Sequence, residues 1–267
     1  MDFSKVKLIV TDMDGTLLNS KHEMSEDFFL IYKSLQNKGV HFAAASGRQH
    51  HSIEEKLLPI KDEITIISEN GGLGRQGTKE LFTVTTHLEV LLNAIAPLKK
   101  IKNTAFVLCG KKYAYFERTN LEHATTILQY YSNYKIVDNF ADITQDSFFK
   151  VAIYHKECSK THLYPLTKKN SADLQVIISG KNWLDISHKN ANKGNAVALL
   201  QKKLNVKKSE TMVFGDYNND LKMLAEADFS FAMKNAHPNV KEMANYETLS
   251  NDERGVEHIL KQVINSN

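Results

Sequence analysis

Cysteine is scarce in this chain. There are two among 267 residues, Cys109 and Cys158, far apart and in no CxxC pair. That rules out a disulfide framework and favours a reducing, cytoplasmic setting. Long apolar runs are also missing. No segment approaches about 18 apolar residues, so no membrane-spanning helix is expected. The opening MDFSKVKLIV runs from a short apolar stretch into charge, which is not the build of a secretory leader. Nor does one sign of charge dominate: 34 basic residues face 31 acidic ones, for a net charge of +3. The paired lysines, such as Lys99-Lys100 and Lys202-Lys203, are scattered, so no nucleic-acid surface is expected. Internal repeats and low-complexity segments are absent. With 42% hydrophobic and 24% charged residues, the chain has the make-up of one large globular domain or two modest ones.

What is present begins with KLIVTDMDGTLLNS, residues 7–20. A buried strand over residues 7–11 runs into two aspartates one residue apart, Asp12 and Asp14, and the chain then turns on Gly15. Like charges repel and resist leaving water, so something must require both at the mouth of that strand. A helix follows, with Ser25 placed to cap it, an apolar stripe of Phe28, Ile31, Tyr32 and Leu35, and Gly39 at its end. VHFAAASGR and EITIISENGG read as further strands in a βαβ rhythm.

From residue 84 to 185 the pattern changes. Helices are expected over 87–100, 120–132 and 157–168. Among them lie strands TAFVLCG, KYAYFER, FFKVAIYHK, LQVIISG and NWLDISH, the last two joined by a tight turn near Lys181-Asn182. Paired strands between helices suggest an inserted α+β domain with an antiparallel sheet. The first rhythm then resumes with a helix over 193–204, strand ETMVFGD, helix NDLKMLAEA and strand FSFAM. The expected fold is α/β: a Rossmann-like parallel-sheet core of residues 1–83 and 186–267, interrupted by an insert of residues 84–185.

In open α/β sheets ligands bind outside the carboxyl ends of the strands. Those ends carry Asp12 and Asp14; Ser46, Gly47 and Arg48; Glu69 and Asn70; and Gly215, Asp216, Asn219 and Asp220, with Lys193 opening the helix after the insert. Clustered carboxylates favour a divalent cation, and oxygen ligands favour Mg²⁺. A serine, a lysine, an arginine and backbone N–H groups favour a phosphate. A carboxylate able to act as nucleophile gives an aspartyl-phosphate. Residues two apart in an extended strand point the same way, so Asp12 and Asp14 can both face the pocket.

DMDGTLL, SGR, NKG and GDYNND resemble, in order, the four motifs of the haloacid dehalogenase superfamily. The chain is most similar to its Cof-type sugar-phosphate phosphatases, which carry a large α/β cap between the second and third motifs. AMKNAHPNVKEMA also resembles that family's C-terminal stretch. The resemblance implies that Asp12 is the nucleophile and that Asp14 is the general acid and then the base. Mg²⁺ would be held by Asp12, the main-chain carbonyl of Asp14 and Asp216, with Asp220 in support. Ser46 and Lys193 would bind the phosphoryl oxygens, Gly47 would lie in the same phosphate-binding loop, and Arg48 and Asn219 would touch the substrate. It further implies a small phosphorylated metabolite as substrate; the composition leads to no nucleic-acid or membrane partner, and a monomer or weak homodimer is expected. Tyr217 and Asn218 stand where the family commonly has smaller residues, and Arg254 where it usually has an acidic one.

Plainer readings compete at each position. The two aspartates could be a turn pair, Ser46 a strand end, Arg48 a surface partner, and Asn70 a turn hydrogen bond. A lysine opening a helix works against the dipole, so a nearby anion is the natural reason for Lys193. Gly72, Gly74 and Gly77 spell G-x-G-x-x-G, but the following TKELFTV reads as a strand, and a dinucleotide site needs a helix there. His50 and His51 are adjacent and point to different helix faces, which does not suit a metal. The rivals to a phosphatase are a phosphomutase of the same superfamily and a non-catalytic phosphometabolite-binding regulator.

Overall fold

The structure is a computed structural model that describes residues 2–118, 124–128, 130–170 and 174–266. The strands in chain order are β1 (Leu8–Asp12), β2 (His41–Ala45), β3 (Thr65–Ser68), β4 (Leu73–Gln76), β5 (Lys79–Thr83), β6 (Thr104–Gly110), β7 (Ala114–Glu117), β8 (Tyr134–Val137), β9 (Phe148–His155), β10 (Leu174–Ile178), β11 (Trp183–His188), β12 (Thr211–Gly215), β13 (Phe229–Ala232) and β14 (Tyr246–Glu247). The helices are α1 (Asp27–Asn37), α2 (His50–Lys56), α3 (Leu88–Ile95), α4 (Ala124–Leu128), α5 (Ser159–His162), α6 (Tyr164–Asn170), α7 (Lys193–Leu204), α8 (Leu221–Leu224), α9 (Pro238–Met243) and α10 (Gly255–Asn265). None of them is long and apolar enough to cross a membrane, among the described residues.

The chain separates into two units. One comprises Met1–Ser46, Ile53–Phe82 and Asn192–Asn267; the other comprises Gly47–Ser52 and Thr83–Ala191. The sheet of the first unit has the order β14-β13-β12-β1-β2-β3-β4-β5. It is parallel from β14 to β3, and β4 then turns back antiparallel. The chain begins in the middle at β1, winds outward through β2 and β3, and later returns to the other side of β1 at β12. This doubly wound order puts a switch point beside β1, where a crevice opens at the carboxyl ends. Every residue of LIVTD in β1 is buried, because helices cover both faces of a parallel sheet. Each fully buried Leu, Ile or Val there contributes about 1.5–3 kcal/mol. Ile31 and Leu35 of α1 pack into the same core as Leu260 and Val263 of α10.

The sheet of the second unit has the order β10-β11-β9-β6-β7-β8. Period-two alternation divides it cleanly. Phe106, Leu108, Val151 and Ile153 join Leu91 and Ile95 of α3 in one cluster, while Val107, Cys109, Ala152 and Tyr154 face the other way with Phe116 and Tyr131.

Several expectations change in detail. Ser25 caps nothing: Glu26 is the residue before α1, and the Ser25 hydroxyl is buried without a hydrogen bond. The helix expected over 87–100 ends at Ile95 and continues as a 3-10 helix, Ala96–Lys100, because Pro97 supplies no N–H for an α-helical bond. The 157–168 helix is two pieces, α5 and α6, broken at Leu163. Of the helix expected over 120–132, residues 120–123 and 129 lie outside the described residues, and α4 covers 124–128. The short strand β8 was not expected at all. The glycine pattern 72–77 runs from the turn before β4 to the turn into β5, and it is strand β5 that follows.

Candidate active site

Three carboxylates and one ammonium meet at the carboxyl ends of β1 and β12. Asp12 is the last residue of β1 and is 5% exposed. Lys193 opens α7 and is wholly buried. Its Nζ donates to Asp12 Oδ1, and to Asp220 Oδ1 at 2.6 Å. Asn192 caps α7 by accepting from Asn195 N at 2.9 Å. Gly71 makes room for that cap, since a Cβ there would lie 2.4 Å from the Asn192 carbonyl oxygen. The dipole penalty of a lysine at a helix start is thus met by two anions.

Asp220 is wholly buried in a 3-10 helix, Asn218–Asp220, and its second oxygen accepts from the main-chain N–H groups of Asp216 and Tyr217 at 3.0 and 3.1 Å. Asp216 follows β12 directly and accepts from Thr16 Oγ1 at 3.2 Å. Gly15 is required here: its φ is +78°, and a Cβ would sit 2.4 Å from Asp216 Oδ2. The turn it makes is braced from a distant part of the chain. Asn235 Nδ2 donates to the Gly15 carbonyl at 2.8 Å, and Asn251 Nδ2 donates to that of Leu18 at 2.9 Å.

Burial drives the Asp12 carboxyl well above the usual range, with Asp220 and Asp216 adding to the effect and Lys193 opposing it. Burial, together with the charge of Asp220, lifts Asp216 to about 7. Burial alone would lower Lys193, but Asp12 and Asp220 outweigh it and hold the ammonium charged. Asp12, Asp216 and Asp220 each offer an oxygen within 4.8 Å of the others. Three carboxylates against one ammonium leave a deficit that one divalent cation would balance, so the residues fit a hard, oxygen-preferring metal ion.

The remaining expected residues fall in several places. Asp14 lies just past β1, its side chain 36% exposed and 2.9 Å from His22 Nδ1. Its charge also acts on Asp216. Ser46 follows β2 and is buried; its carbonyl accepts from Asn70 N at 2.9 Å. Asn219 donates to Asn70 Oδ1 at 3.2 Å. Glu69, Asn70 and Gly71 are all left-handed, with φ of 53°, 54° and 98°, a strained run of the kind found at working sites. Gly47 and Arg48 belong with the second unit. There the Gly47 carbonyl accepts from Lys150 Nζ at 2.8 Å, and the Arg48 guanidinium lies 6.0 Å from the Tyr130 ring centre. Lys150 is itself buried against Asp185 at 3.0 Å, a pair that sequence reading missed. Also missed were Thr16, Asn192, His22, Asn235 and Asn251. Tyr217 packs edge-on to His237, with ring centres 5.7 Å apart, and Arg254 pairs with Asp27 at 3.2 Å.

The family of haloacid dehalogenase-like hydrolases matches residues 9–260. The chain belongs to that family. It is 30% identical over 262 residues to the 5-amino-6-(5-phospho-D-ribitylamino)uracil phosphatase YbjI of Escherichia coli, covering 97% of this chain and 96% of that one. Among solved structures, SMU.1108c of Streptococcus mutans superposes with a TM-score of 0.90 at 32% identity, covering 98% of this chain and all of that one. A haloacid dehalogenase-like hydrolase of Bacillus subtilis gives 0.84 at 25% identity, covering 96% and 99%. The Cof-type resemblance drawn from the four motifs agrees with these relatives, and the chain is an enzyme of the phosphatase kind.

Proposed function

We propose that this chain is a Mg²⁺-dependent phosphatase of small phosphorylated metabolites, sugar and polyol phosphates in the first place, working through an aspartyl-phosphate on Asp12. The observation that carries the reading is the buried Asp12–Lys193–Asp220 arrangement with Asp216 beside it, whose negative charge exceeds its positive charge. A charge-deficient, half-neutralised pocket of this kind suits a cation and a phosphoryl group rather than a purely structural ion pair.

In this scheme Asp12 attacks phosphorus, and the bond from phosphorus to the substrate oxygen breaks. Asp14 gives a proton to the departing alkoxide. It then takes one from the water that attacks the aspartyl-phosphate, which releases inorganic phosphate and restores Asp12. Lys193 steadies the charge on the phosphoryl oxygens, and Ser46 hydrogen-bonds them. Gly47, Arg48 and Asn219 contact the phosphate or the rest of the substrate. Asp12, the carbonyl of Asp14 and Asp216 would hold Mg²⁺, and Asp220, already engaged by Lys193 and two amides, would support it. The ion supplies neutralisation of the charge between carboxylate and phosphate.

Phosphate release tests this, measured with Mg²⁺ and with EDTA across a panel of sugar, polyol and nucleotide phosphates. The panel includes 5-amino-6-(5-phospho-D-ribitylamino)uracil, which figures in the name of the E. coli relative. Metal-dependent release from a subset, lost in Asp12→Asn, is the expected result. No release from any ester by folded, Mg²⁺-supplied protein would refute it in favour of a mutase or a binding protein.

A further inference from the structure

Asp14 is the least enclosed carboxylate at the site. Its side chain is 36% exposed, and aiming such a carboxylate costs rotamer freedom that hydrogen bonds must offset. His22 reaches it: its Nδ1 lies 2.9 Å from Asp14 Oδ1. His22 sits in an unusual backbone position, with φ of +59°, the left-handed region that glycine and asparagine fill most readily. The surrounding turn demands it. His22 N donates to the Asn19 carbonyl at 2.8 Å, Asn19 N to the Glu23 carbonyl at 3.0 Å, and Asn19 Oδ1 accepts from Lys21 N and Glu23 N, both at 2.9 Å. These bonds close a tight turn over residues 19–23 with its left-handed residue at position 22. The loop is pinned from two sides. Lys56 Nζ donates to the His22 carbonyl at 2.9 Å, and Ser20 donates through N and Oγ to Asp252 at 2.8 and 2.6 Å.

The left-handed region is uncommon for a residue other than glycine, and an uncommon backbone conformation kept beside a site points to use. We propose that His22 is a positioning residue. Its ring nitrogen holds the Asp14 carboxyl in the orientation for proton transfer to the leaving oxygen, and the pinned left-handed turn aims the ring. This rests on the proton-donor reading of Asp14 given above.

The test compares kcat/KM for p-nitrophenyl phosphate and phenyl phosphate in Mg²⁺. The first leaving group departs without a proton, and the second needs one. His22→Gly suits the left-handed turn and should keep its melting temperature, so loss of activity is not loss of fold. It should fall about tenfold further on phenyl phosphate than on p-nitrophenyl phosphate, a fraction of what a general acid supplies. His22→Asn places an amide nitrogen where Nδ1 stood, tolerates the same φ and does not titrate. It should bring the ratio of the two esters back to within about threefold of wild type.

Equal losses on both esters in His22→Gly, no loss at all, or an Asn variant that behaves like the Gly variant would each overturn the proposal. Asp14→Asn separates the two levels. If it falls equally on both esters, the proton-donor reading itself fails, and this role with it. If it discriminates between them and His22→Gly does not, only the role of His22 is lost.

Discussion

Asp216→Asn should make the metal-free protein more stable while disabling its metal site. In the fold the Asp216 carboxyl titrates near 7 against an ordinary 3.8, lifted first by burial and then by Asp220. For an acid raised in this way, the native state keeps a proton that the unfolded chain has released. Stability therefore falls as pH rises from about 4 to about 7 and levels off above that. Three pKa units at about 1.36 kcal/mol each set a ceiling of about 4 kcal/mol. Asp216 is partly solvated and shares its field with Asp12, so about 2 kcal/mol is the working figure. Asparagine keeps the acceptor for Thr16 and removes the charge. In EDTA at pH 7.5 the variant should melt about 4–8 °C above wild type, and the gap should narrow towards pH 5. Saturating Mg²⁺ should raise wild type by about 2.7 kcal/mol at a hundredfold excess over Kd and leave the variant nearly unmoved, closing the gap. Thermal unfolding followed by circular dichroism, with and without Mg²⁺, reads all of this. A variant that melts at or below wild type in EDTA at pH 7.5, or a gap independent of pH, would refute the idea that these carboxylates lack compensation. A wild-type melting temperature indifferent to Mg²⁺ would refute the metal.

Gly15→Ala brings a Cβ to 2.4 Å from Asp216 Oδ2 at a φ of +78°. It should cost about 1–3 kcal/mol in urea unfolding and raise the Mg²⁺ concentration for half-maximal turnover, and wild-type values for both would show that the turn yields. Lys193→Met leaves Asp12 and Asp220 buried without their cation. A loss of about 3–5 kcal/mol is expected, part of it recovered in Mg²⁺, and an unchanged denaturation midpoint would mean that the ion pair is not what holds these carboxylates in place.

The charged residues at the strand ends were legible in the sequence because their spacing follows from the backbone. Asp12 must close β1, Asp216 must follow β12, and a lysine opening a helix asks for an anion; the structure supplies Asp12 and Asp220. Lys150 and Asp185 hid because each lies inside an apolar strand, where period-two alternation registers a position but not the partner across the sheet. Asn235 and Asn251 hid for a different reason. They hydrogen-bond main-chain carbonyls of Gly15 and Leu18, more than two hundred residues earlier, and a carbonyl has no residue type to read. The wrong cap at Ser25 has the same root: the side chain was suitable, but the backbone turned one residue later.

His22 marks the boundary between these two kinds of information. Its turn is local, built by Asn19 through bonds to residues 21–23, so the left-handed position could have been read from N-S-K-H-E. What could not be read is the direction of the ring, which depends on how the chain doubles back past Asp14 after Gly15. A glycine would fill that turn with less strain. Histidine is tolerated in that region, and the neighbouring carboxylate gives it a role there that the local sequence does not show.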